Sequence, residues 1–449
     1  MKKLLLALSI LALSYPAFAL EISYPASTTP IINSKSTFFI GNTDTSKPLT
    51  INNSTVNVHK SGNFAYVVNL EEGKNTFTIK SGDETKVYEI IRPAATKCSP
   101  VKSAQFVPYD EKKSAIVTSE NTPLRSSAEN FGINRLSHLN EGTPVNILGE
   151  YNGFYKIELS PETYAWILKN QVKISDEQFS PAKILNFSSS ETPEYEIYEF
   201  ELSGKVPYTL LENPFTITLY NLNNNDGFFK FSPFYNHRQF GYSTGFEGNK
   251  FVLKVRKVPN INKNHPLKNI KIAIDAGHGG KESGARCCSG ILEKDLNLKI
   301  SNKLSQKLAN KGAKVIKIRN DDSFVSLSDR IKIANENDAM IFISIHGNAL
   351  PDNLNPMEHS GTSIYYYYNQ AKPLADSILN NMILSSGTND DKVRWQSFAV
   401  VRNTNALSIL IETGYLINPN DNWMLEQEDF QNKLVDGIIK GIEEFLTLY

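Results

Sequence analysis

The sequence predicts a multidomain protein in which all-β modules precede a C-terminal α/β domain with a mixed, twisted sheet covered by helices. Its 449 residues exceed the roughly 250–300 residues at which a single core stops growing. Short alternating runs separated by Gly, Asn and Asp turns continue to about residue 262, which is typical of β modules. From about residue 268, apolar strand-like runs alternate with helical runs, and this alternation indicates an α/β sheet.

The amino terminus has the pattern of a signal peptide over residues 1–19. A basic start at Lys2 and Lys3 precedes an apolar run from Leu4 to Leu13, and Ala17-Phe18-Ala19 fits a signal-peptidase site. The run is shorter than the roughly 20 apolar residues that span a bilayer, and no later stretch looks transmembrane. We therefore expect an exported protein, periplasmic, in the cell envelope or secreted, with no transmembrane segment after cleavage.

The charge balance argues against a nucleic-acid partner. The chain has 47 Lys and Arg and 47 Asp and Glu, and loss of Lys2 and Lys3 with the signal peptide changes the formal charge from 0 to −2 (0 minus 2). Without a basic excess, bulk electrostatics cannot hold a polyanion. Any polymer that the protein binds must be recognised locally.

Three cysteines in an oxidising compartment leave at least one unpaired or paired between chains. Cys287 and Cys288 are adjacent, so a strain-free bridge between them is not expected. Pairing of Cys98 with either one stays open. A thiolate contribution to a metal site is the less favoured alternative, because exported cysteines are more often oxidised or packed.

Two β modules are predicted before residue 176. Residues 20–93 carry alternating runs that include 36–40, 65–70 and 75–80. They resemble bacterial immunoglobulin-like modules, and this resemblance depends on Gly-Asn-Phe-Ala and Glu-Gly-Lys-Asn-Thr-Phe. Residues 94–175 contain a linker and a module similar to bacterial SH3-like domains. That similarity depends on Leu124-Arg125, the strand around 142–148 and Trp166-Ile167, with Ala165 replacing the usual Gly.

Residues 176–262 form a third predicted module, an accessory β domain, and residues 263–449 form the α/β domain. The third module is rich in Phe, Tyr and Asn and alternates over 196–202, 215–220 and 250–255. In the α/β domain, one helix face is marked by leucine and isoleucine four residues apart. These residues are Leu292, Leu296, Ile300, Leu304 and Leu308.

Four residues of the α/β domain form a predicted hydrolytic zinc site. His278, His346 and Glu412 each follow an apolar run by one to three residues, and Glu293 opens a helix. Active residues of α/β sheets gather beyond the carboxyl ends of strands. Two imidazoles and a carboxylate are a recurrent catalytic Zn²⁺ set that leaves a position for water, so Glu412 is free to move protons. Taken alone, an idle turn histidine or a dipole-stabilising Glu293 is the competing interpretation.

The region from Ile272 to about Asn422 resembles the zinc-dependent N-acetylmuramoyl-L-alanine amidases of the bacterial wall (amidase type 3). The motifs that carry the resemblance are Asp-Ala-Gly-His-Gly-Gly, a Glu before a Leu-rich helix, Ser-Ile-His-Gly-Asn-Ala and Glu-Thr-Gly-Tyr-Leu-Ile-Asn-Pro. The resemblance implies that His278, Glu293 and His346 bind Zn²⁺ and that Glu412 is the catalytic acid/base. It also implies cleavage between the lactyl group of N-acetylmuramic acid and L-alanine of peptidoglycan, in wall turnover or daughter-cell separation.

Two further polar residues have open roles. Asp275 either orients an imidazole or only ends its strand or caps the turn. Arg330 binds a peptide carboxylate or forms a structural ion pair. Between His346 and Glu412 we expect one helix near 371–384 and a strand at 398–401. Some regulated family members carry an occluding helix in this interval, and none is predicted here.

Two other functions compete with the amidase. A zinc peptidase acting on stem peptides or cross-links uses the same metal chemistry on another bond. A wall-binding scaffold relies on the β modules alone, but it leaves Glu412 unexplained. In each case the partner is peptidoglycan, and an activating protein cannot be identified from the sequence.

Overall fold

The structure is a computed structural model that describes residues 19–94, 105–233 and 240–448. The body of the predicted signal peptide and Cys98 lie outside the described residues. Among the described residues, no helix is both long and apolar enough to cross a bilayer.

The first module is built from seven strands in two antiparallel sheets that enclose one apolar core. Its strands are β1 (Glu21–Tyr24), β2 (Ser36–Asn42), β3 (Leu49–Ile51), β4 (Ser54–Val56), β5 (Asn63–Asn69), β6 (Gly73–Ser81) and β7 (Glu84–Arg92). The sheet orders are β1-β2-β5 and β4-β3-β6-β7. Phe39 and Phe64, both fully buried, lie at the centre of the core.

The second module is one seven-stranded sheet of order β10-β9-β13-β12-β11-β8-β14. Its strands are β8 (Val107–Val117), β9 (Thr122–Arg125), β10 (Arg135–Leu139), β11 (Pro144–Tyr151), β12 (Phe154–Ser160), β13 (Thr163–Leu168) and β14 (Val172–Ser175). Alternate residues such as Ala165 and Ile167 point into its core, as expected from the two-residue period of a strand.

The third module has a four-stranded sheet, β15-β16-β21-β20, and a three-stranded sheet, β17-β18-β19. Its strands are β15 (Ile184–Glu191), β16 (Tyr195–Leu202), β17 (Tyr208–Glu212), β18 (Phe215–Tyr220), β19 (Phe228–Phe231), β20 (Tyr242–Glu247) and β21 (Lys250–Arg256). The two sheets share one aromatic-rich core. The prediction that the region before the α/β domain is all-β is therefore confirmed.

The C-terminal domain contains a six-stranded mixed sheet of order β23-β22-β24-β27-β25-β26. Its strands are β22 (Lys271–Ala276), β23 (Lys314–Lys317), β24 (Ile341–Asn348), β25 (Thr362–Tyr366), β26 (Asp390–Trp395) and β27 (Leu407–Tyr415). Its helices are α1 (Glu293–Asn310), α2 (Leu327–Glu336), α3 (Lys372–Ser386), α4 (Pro419–Glu426) and α5 (Glu428–Thr447). Strands β22, β23, β24 and β27 run parallel, whereas β25 pairs antiparallel with β27.

Both faces of this sheet are covered, which explains the nearly continuous apolar strands. Ile272 and Ile343 pack towards α1, α3 and α5 in the larger core. The alternating residues Ala273 and Phe342 pack on the other face, where α2 contributes Ala334. The predicted α/β class with a mixed sheet and covering helices is confirmed.

The expected strand at 398–401 is wrong. Residues Val400–Arg402 form a 3-10 helix, and the strand that follows α3 is β26 at Asp390–Trp395. Strand β26 lies at the edge of the sheet and consists largely of charged residues. An edge strand buries little apolar surface, so its sequence lacks the hydrophobic signal that marks the central strands.

The first module packs directly against the C-terminal domain. Phe38 and Ile40 from β2 share an apolar cluster with Cys288, Tyr415 and Ile417. Polar contacts surround this cluster: the hydroxyls of Tyr24 and Thr37 each donate to Asp352 Oδ1 at 2.6 Å, and Asn63 Nδ2 donates to Asn422 Oδ1 at 3.0 Å. The module therefore contacts loops that border the predicted site.

Candidate active site

Three parallel strands bring the predicted site residues to one edge of the sheet. Strand β22 ends two residues before His278, β24 carries His346, and β27 carries Glu412. His346 and Glu412 are direct register partners on neighbouring strands. Glu293 is the first residue of α1, which follows the loop after His278. The four predicted site residues span 135 residues of sequence (412 minus 278, plus 1). The fold therefore brings them together at one edge of the sheet.

His278, Glu293 and His346 form a cluster that could hold a metal ion. One ligand atom from each residue lies within 4.8 Å of the other two. His278 Nε2 and His346 Nδ1 are each 3.0 Å from Glu293 Oε1. Bonds of about 2.0–2.2 Å in a tetrahedral zinc site separate neighbouring ligand atoms by roughly 3.3 Å. Both the donor set and its spacing therefore fit Zn²⁺.

Glu293 is held as a carboxylate by its surroundings. Burial raises the pKa of this carboxyl, but hydrogen bonds from His278 and His346 outweigh burial and hold the pKa well below its usual range. The other oxygen, Oε2, accepts from Ala285 N at 2.8 Å. Burial lowers the pKa of His346, whereas Glu293 and the charge of Glu412 raise it, with a net upward shift. Glu293 thus supplies a negative charge to the cluster that a bound cation can balance.

Two glycines make the close approach of these side chains sterically feasible. A Cβ at Gly277 would lie 2.3 Å from the His346 ring, and a Cβ at Gly284 would lie 2.4 Å from Glu293 Oε2. His278 itself has φ = 61°, a left-handed conformation that is costly for a residue with a side chain. The chain therefore turns sharply after β22, and His278 adopts the strained conformation in that turn.

Glu412 is a buried carboxyl group with an uncommitted oxygen. Among the described residues, its Oε2 atom is buried and has no hydrogen-bond partner. Burial raises the pKa of Glu412 to about 7, while His346 lowers it and Glu293 raises it further. A carboxyl with a pKa near neutrality can both accept and return a proton, which is the property expected of a general acid/base.

Asp275 and Arg330 form an ion pair beneath the site. Arg330 Nη1 lies 2.5 Å from Asp275 Oδ1, and both side chains are almost fully buried. Ser344 Oγ donates to the other oxygen of Asp275 at 2.7 Å. Arg330 also donates to the carbonyl of His278 at 2.8 Å. Of the roles left open, the structural ion pair describes Arg330, and its buried guanidinium is not available to a peptide.

Among the described residues, Asp275 accepts hydrogen bonds from Arg330 and Ser344 and has none to an imidazole. Asp275 still acts on His346 through its charge, which raises the pKa of that imidazole. The Asp275–Arg330 pair therefore supports the loop that carries His278.

Two supporting residues were missed in the sequence. Arg319, two residues after the end of β23, donates to the carbonyls of Ala276, Gly277 and Lys294 at 2.8, 3.0 and 2.7 Å. Asn297, one turn into α1, donates to Glu293 Oε1 at 3.3 Å. An arginine that follows a strand at the same sheet edge as the histidines was an available signal for Arg319. The amide of Asn297 gave no signal beyond its place on the helix.

The cysteines and the helix of the 346–412 interval lie apart from the ligand cluster. Cys287 and Cys288 are free, buried and packed in apolar clusters, and the metal-capable group found in the described chain does not include them. Helix α3, at the predicted position, packs against α5 through Ser377 and Gly441. The side chains of His278 and His346 keep 28% and 18% of their surface exposed, so solvent reaches the cluster.

Residues 272–444 match the sequence profile of the N-acetylmuramoyl-L-alanine amidase family. The chain is 32% identical over 211 residues to the probable cell wall amidase LytH of Staphylococcus aureus, covering 46% of this chain and 67% of LytH. The chain belongs to the N-acetylmuramoyl-L-alanine amidase family. This membership confirms the resemblance predicted from the motifs.

Other similar proteins match the amidase over a comparable length. YqiI of Bacillus subtilis is 35% identical over 184 residues, which are 40% of this chain and 86% of YqiI. The solved structure of the amidase AmiC2 of Nostoc punctiforme is 34% identical and covers 42% of this chain and 99% of that chain, with a TM-score of 0.38. The chain is thus a hydrolase, a cell wall amidase that acts on peptidoglycan. The similarities of the first two modules to immunoglobulin-like and SH3-like domains stay predictions.

Proposed function

We propose that this amidase hydrolyses the bond between the lactyl group of N-acetylmuramic acid and L-alanine, using Zn²⁺ held by His278, Glu293 and His346. The observation that carries the proposal is the meeting of this His–Glu–His set with the uncommitted carboxyl of Glu412 on the adjacent strand. Three ligands suffice to bind a metal, and a fourth, raised-pKa carboxyl is what hydrolysis needs in addition.

The mechanism assigns a separate task to each residue. When bound, Zn²⁺ supplies Lewis acidity and lowers the pKa of water at its open position. Glu412 accepts a proton from the attacking water and returns it to the amine of the departing L-alanine. Its burial keeps both protonation states accessible near neutral pH. Glu293 stays ionised throughout because two imidazoles hold its pKa low.

The supporting residues fix the geometry rather than touch the substrate. Arg330 and Arg319 hold the carbonyls of residues 276–278 and so define the turn that presents His278. Thr413 Oγ1 donates to the carbonyl of His346 at 2.9 Å and ties β27 to β24. Because the ligand set is held by backbone contacts from several elements, its positions are set before the substrate binds.

We also propose that the protein acts outside the cytoplasm, in wall turnover or daughter-cell separation. The signal-peptide pattern over residues 1–19 and the cell wall substrate of the family support this localisation. The division into modules at 20–93, 94–175, 176–262 and 263–449 is part of the same proposal. The separate apolar cores of the described residues support it.

The test uses the full chain without its signal peptide on purified wall sacculi. Mass spectrometry of the soluble products distinguishes a new L-alanine amino terminus, expected here, from an internal peptide amine, which would indicate the peptidase instead. Zinc content is measured in parallel in the unmodified protein and in Glu293→Gln, where it should fall.

The catalytic role of Glu412 requires a matched comparison. We expect Glu412→Gln to retain zinc and to lose activity by roughly 10²–10⁴-fold. Glu177→Gln changes an exposed glutamate at the start of the third module and should leave both unchanged. Full activity in Glu412→Gln would remove this mechanism.

A further inference from the structure

A cavity lies where the second module, the third module and the amidase domain meet. Its volume is about 590 Å³, and its walls include Arg135 and His138 from β10, Tyr208 from β17, and Arg402 from the 3-10 helix before β27. Volumes of this size accommodate small ligands. Asn403 and Asn405, just before β27, also line it. Five residues of extended strand separate Leu407, at the start of β27, from Glu412, a distance of roughly 17 Å.

The cavity concentrates positive charge that the protein does not neutralise. Arg135 and Arg402 line it. Arg125 also lies close, because its charge acts to lower the pKa of His138 and the pKa of Tyr367. In the described chain, none of these three arginines has a carboxylate within ion-pair distance, in contrast to Arg256, Arg330 and Arg394. Arg125 is buried and Arg135 and Arg402 are half-buried, and a cation removed from water without a counter-ion is unfavourable.

The hydrogen bonds of these arginines are also incomplete. Arg135 pairs with His138 Nε2 at 2.8 Å, while its Nε is buried and has no partner among the described residues. Arg402 donates from one nitrogen, Nη1, to Ser397 O at 2.6 Å and Ser397 Oγ at 3.1 Å. Donors therefore remain for a ligand, and the planar guanidinium suits bidentate binding of an oxyanion.

The histidine and the nearest acid reinforce this interpretation. Burial lowers the pKa of His138 to about 4, and the charges of Arg135, Arg402 and Arg125 lower it as well, so this ring is neutral at physiological pH. Glu212 lies nearby, but it accepts a hydrogen bond from Asn369 N at 2.5 Å rather than pairing with an arginine. Burial raises the pKa of Glu212 to about 7, which limits the negative charge that it supplies.

We propose that this cavity binds a peptide through its free carboxylate, with Arg135 and Arg402 as the anion-binding residues. The neutral lining favours a peptide over a bare ion, because the asparagines, Thr244 and Tyr208 offer donors and acceptors that match amide groups. Stem peptides of the wall carry such carboxylates, and this choice of peptide rests on the proposed function. Binding there would hold the enzyme on a second peptide while the zinc site acts on another.

Calorimetric titration of the full mature chain tests the proposal with defined probes. The probes are L-Ala-D-Glu with free carboxylates, the same dipeptide with both carboxylates amidated, and inorganic phosphate. We expect the free acid to bind at least tenfold more tightly than the diamide. Arg135→Gln and Arg402→Gln should each weaken the free acid at least tenfold, while Arg92→Gln in the first module should not.

Several outcomes overturn the proposal. Equal binding of the acid and the diamide excludes carboxylate recognition, and phosphate binding as tight as that of the peptide reduces the cavity to a general oxyanion site. If an arginine variant fails to fold, hydrogen exchange in the unsubstituted protein decides the question. The free acid should then slow exchange over 135–138 and 399–405, and unchanged exchange there refutes the site.

The failure of this proposal and the failure of the zinc amidase mechanism can be told apart. Glu412→Gln should lose hydrolysis of sacculi but bind the dipeptide acid at the cavity as the unsubstituted protein does. If hydrolysis is normal but the dipeptide acid does not slow hydrogen exchange over 399–405, only the cavity proposal is refuted. If the dipeptide acid slows exchange there but the expected L-alanine amino termini do not form, only the proposed reaction is refuted.

Discussion

Replacing Glu412 by glutamine should stabilise the metal-free protein, and the gain should depend on pH. The folded structure raises the pKa of this carboxyl from 4.5 to about 7, chiefly by burial. The folded state therefore binds a proton more tightly than the unfolded state between these two values. Stability from this group is present below pH 4.5 and is lost as the pH rises through 7. At about 1.4 kcal/mol per pKa unit, the loss amounts to about 3 kcal/mol.

Scanning calorimetry of chelated samples at pH 5 and pH 8 measures this effect. The neutral amide of Glu412→Gln cannot ionise. From pH 5 to pH 8, the free energy of unfolding of the variant should therefore rise by up to about 3 kcal/mol relative to that of the unsubstituted protein. The charge of Glu412 also raises the pKa of His346, and the substitution removes that contribution as well. Glu177→Gln serves as the control for an exposed glutamate. A stability difference that is the same at both pH values would refute the buried, raised-pKa carboxyl on which the mechanism depends.

Three further predictions concern the surroundings of the site. Chelation should abolish hydrolysis of sacculi, and added Zn²⁺ should restore it, with far-UV circular dichroism unchanged because the core forms from apolar contacts; activity that survives chelation contradicts the metal site. Asp275→Asn leaves the Arg330 cation buried without its partner and should cost about 3–5 kcal/mol, which a fall in the thermal unfolding temperature would reveal and an unaltered transition would disprove. Asp352→Ala removes the acceptor of Tyr24 and Thr37 and should cost about 1–3 kcal/mol, seen as faster hydrogen exchange over 349–355 and 36–40; unchanged exchange there would show that these bonds do not secure the first module.

The docking of the first module connects a distant part of the chain to the site. Ser23 Oγ donates to the carbonyl of Cys288 at 3.0 Å, in the loop that leads into Glu293. Asn63 reaches Asn422, whose Oδ1 also accepts from Ser289 N at 3.0 Å. The module therefore stabilises the loop between His278 and Glu293 from outside, and its removal should loosen that loop.

The chemistry of the site was predictable because a histidine or a glutamate is rarely placed at the end of an apolar strand without a functional partner. His346 and Glu412 end apolar strands where an unpartnered polar group is costly, and the apolar runs before them identify the strands. The helix after Glu293 was predictable from its four-residue spacing, and α1 spans Glu293–Asn310. Each of these signals is contained in a short stretch of consecutive residues.

The sequence by itself determined the all-β modules, the α/β domain and the identity of the four converging residues, because hydrophobic periodicity and local motifs carry that information. Only the tertiary structure decided that Asp275 pairs with Arg330, that Arg319 holds the turn before His278, and that three modules enclose a cationic cavity. These features depend on which side chains meet across distances of 40 residues or more in sequence. Such meetings are set by the packing of whole sheets and modules, which no local pattern encodes.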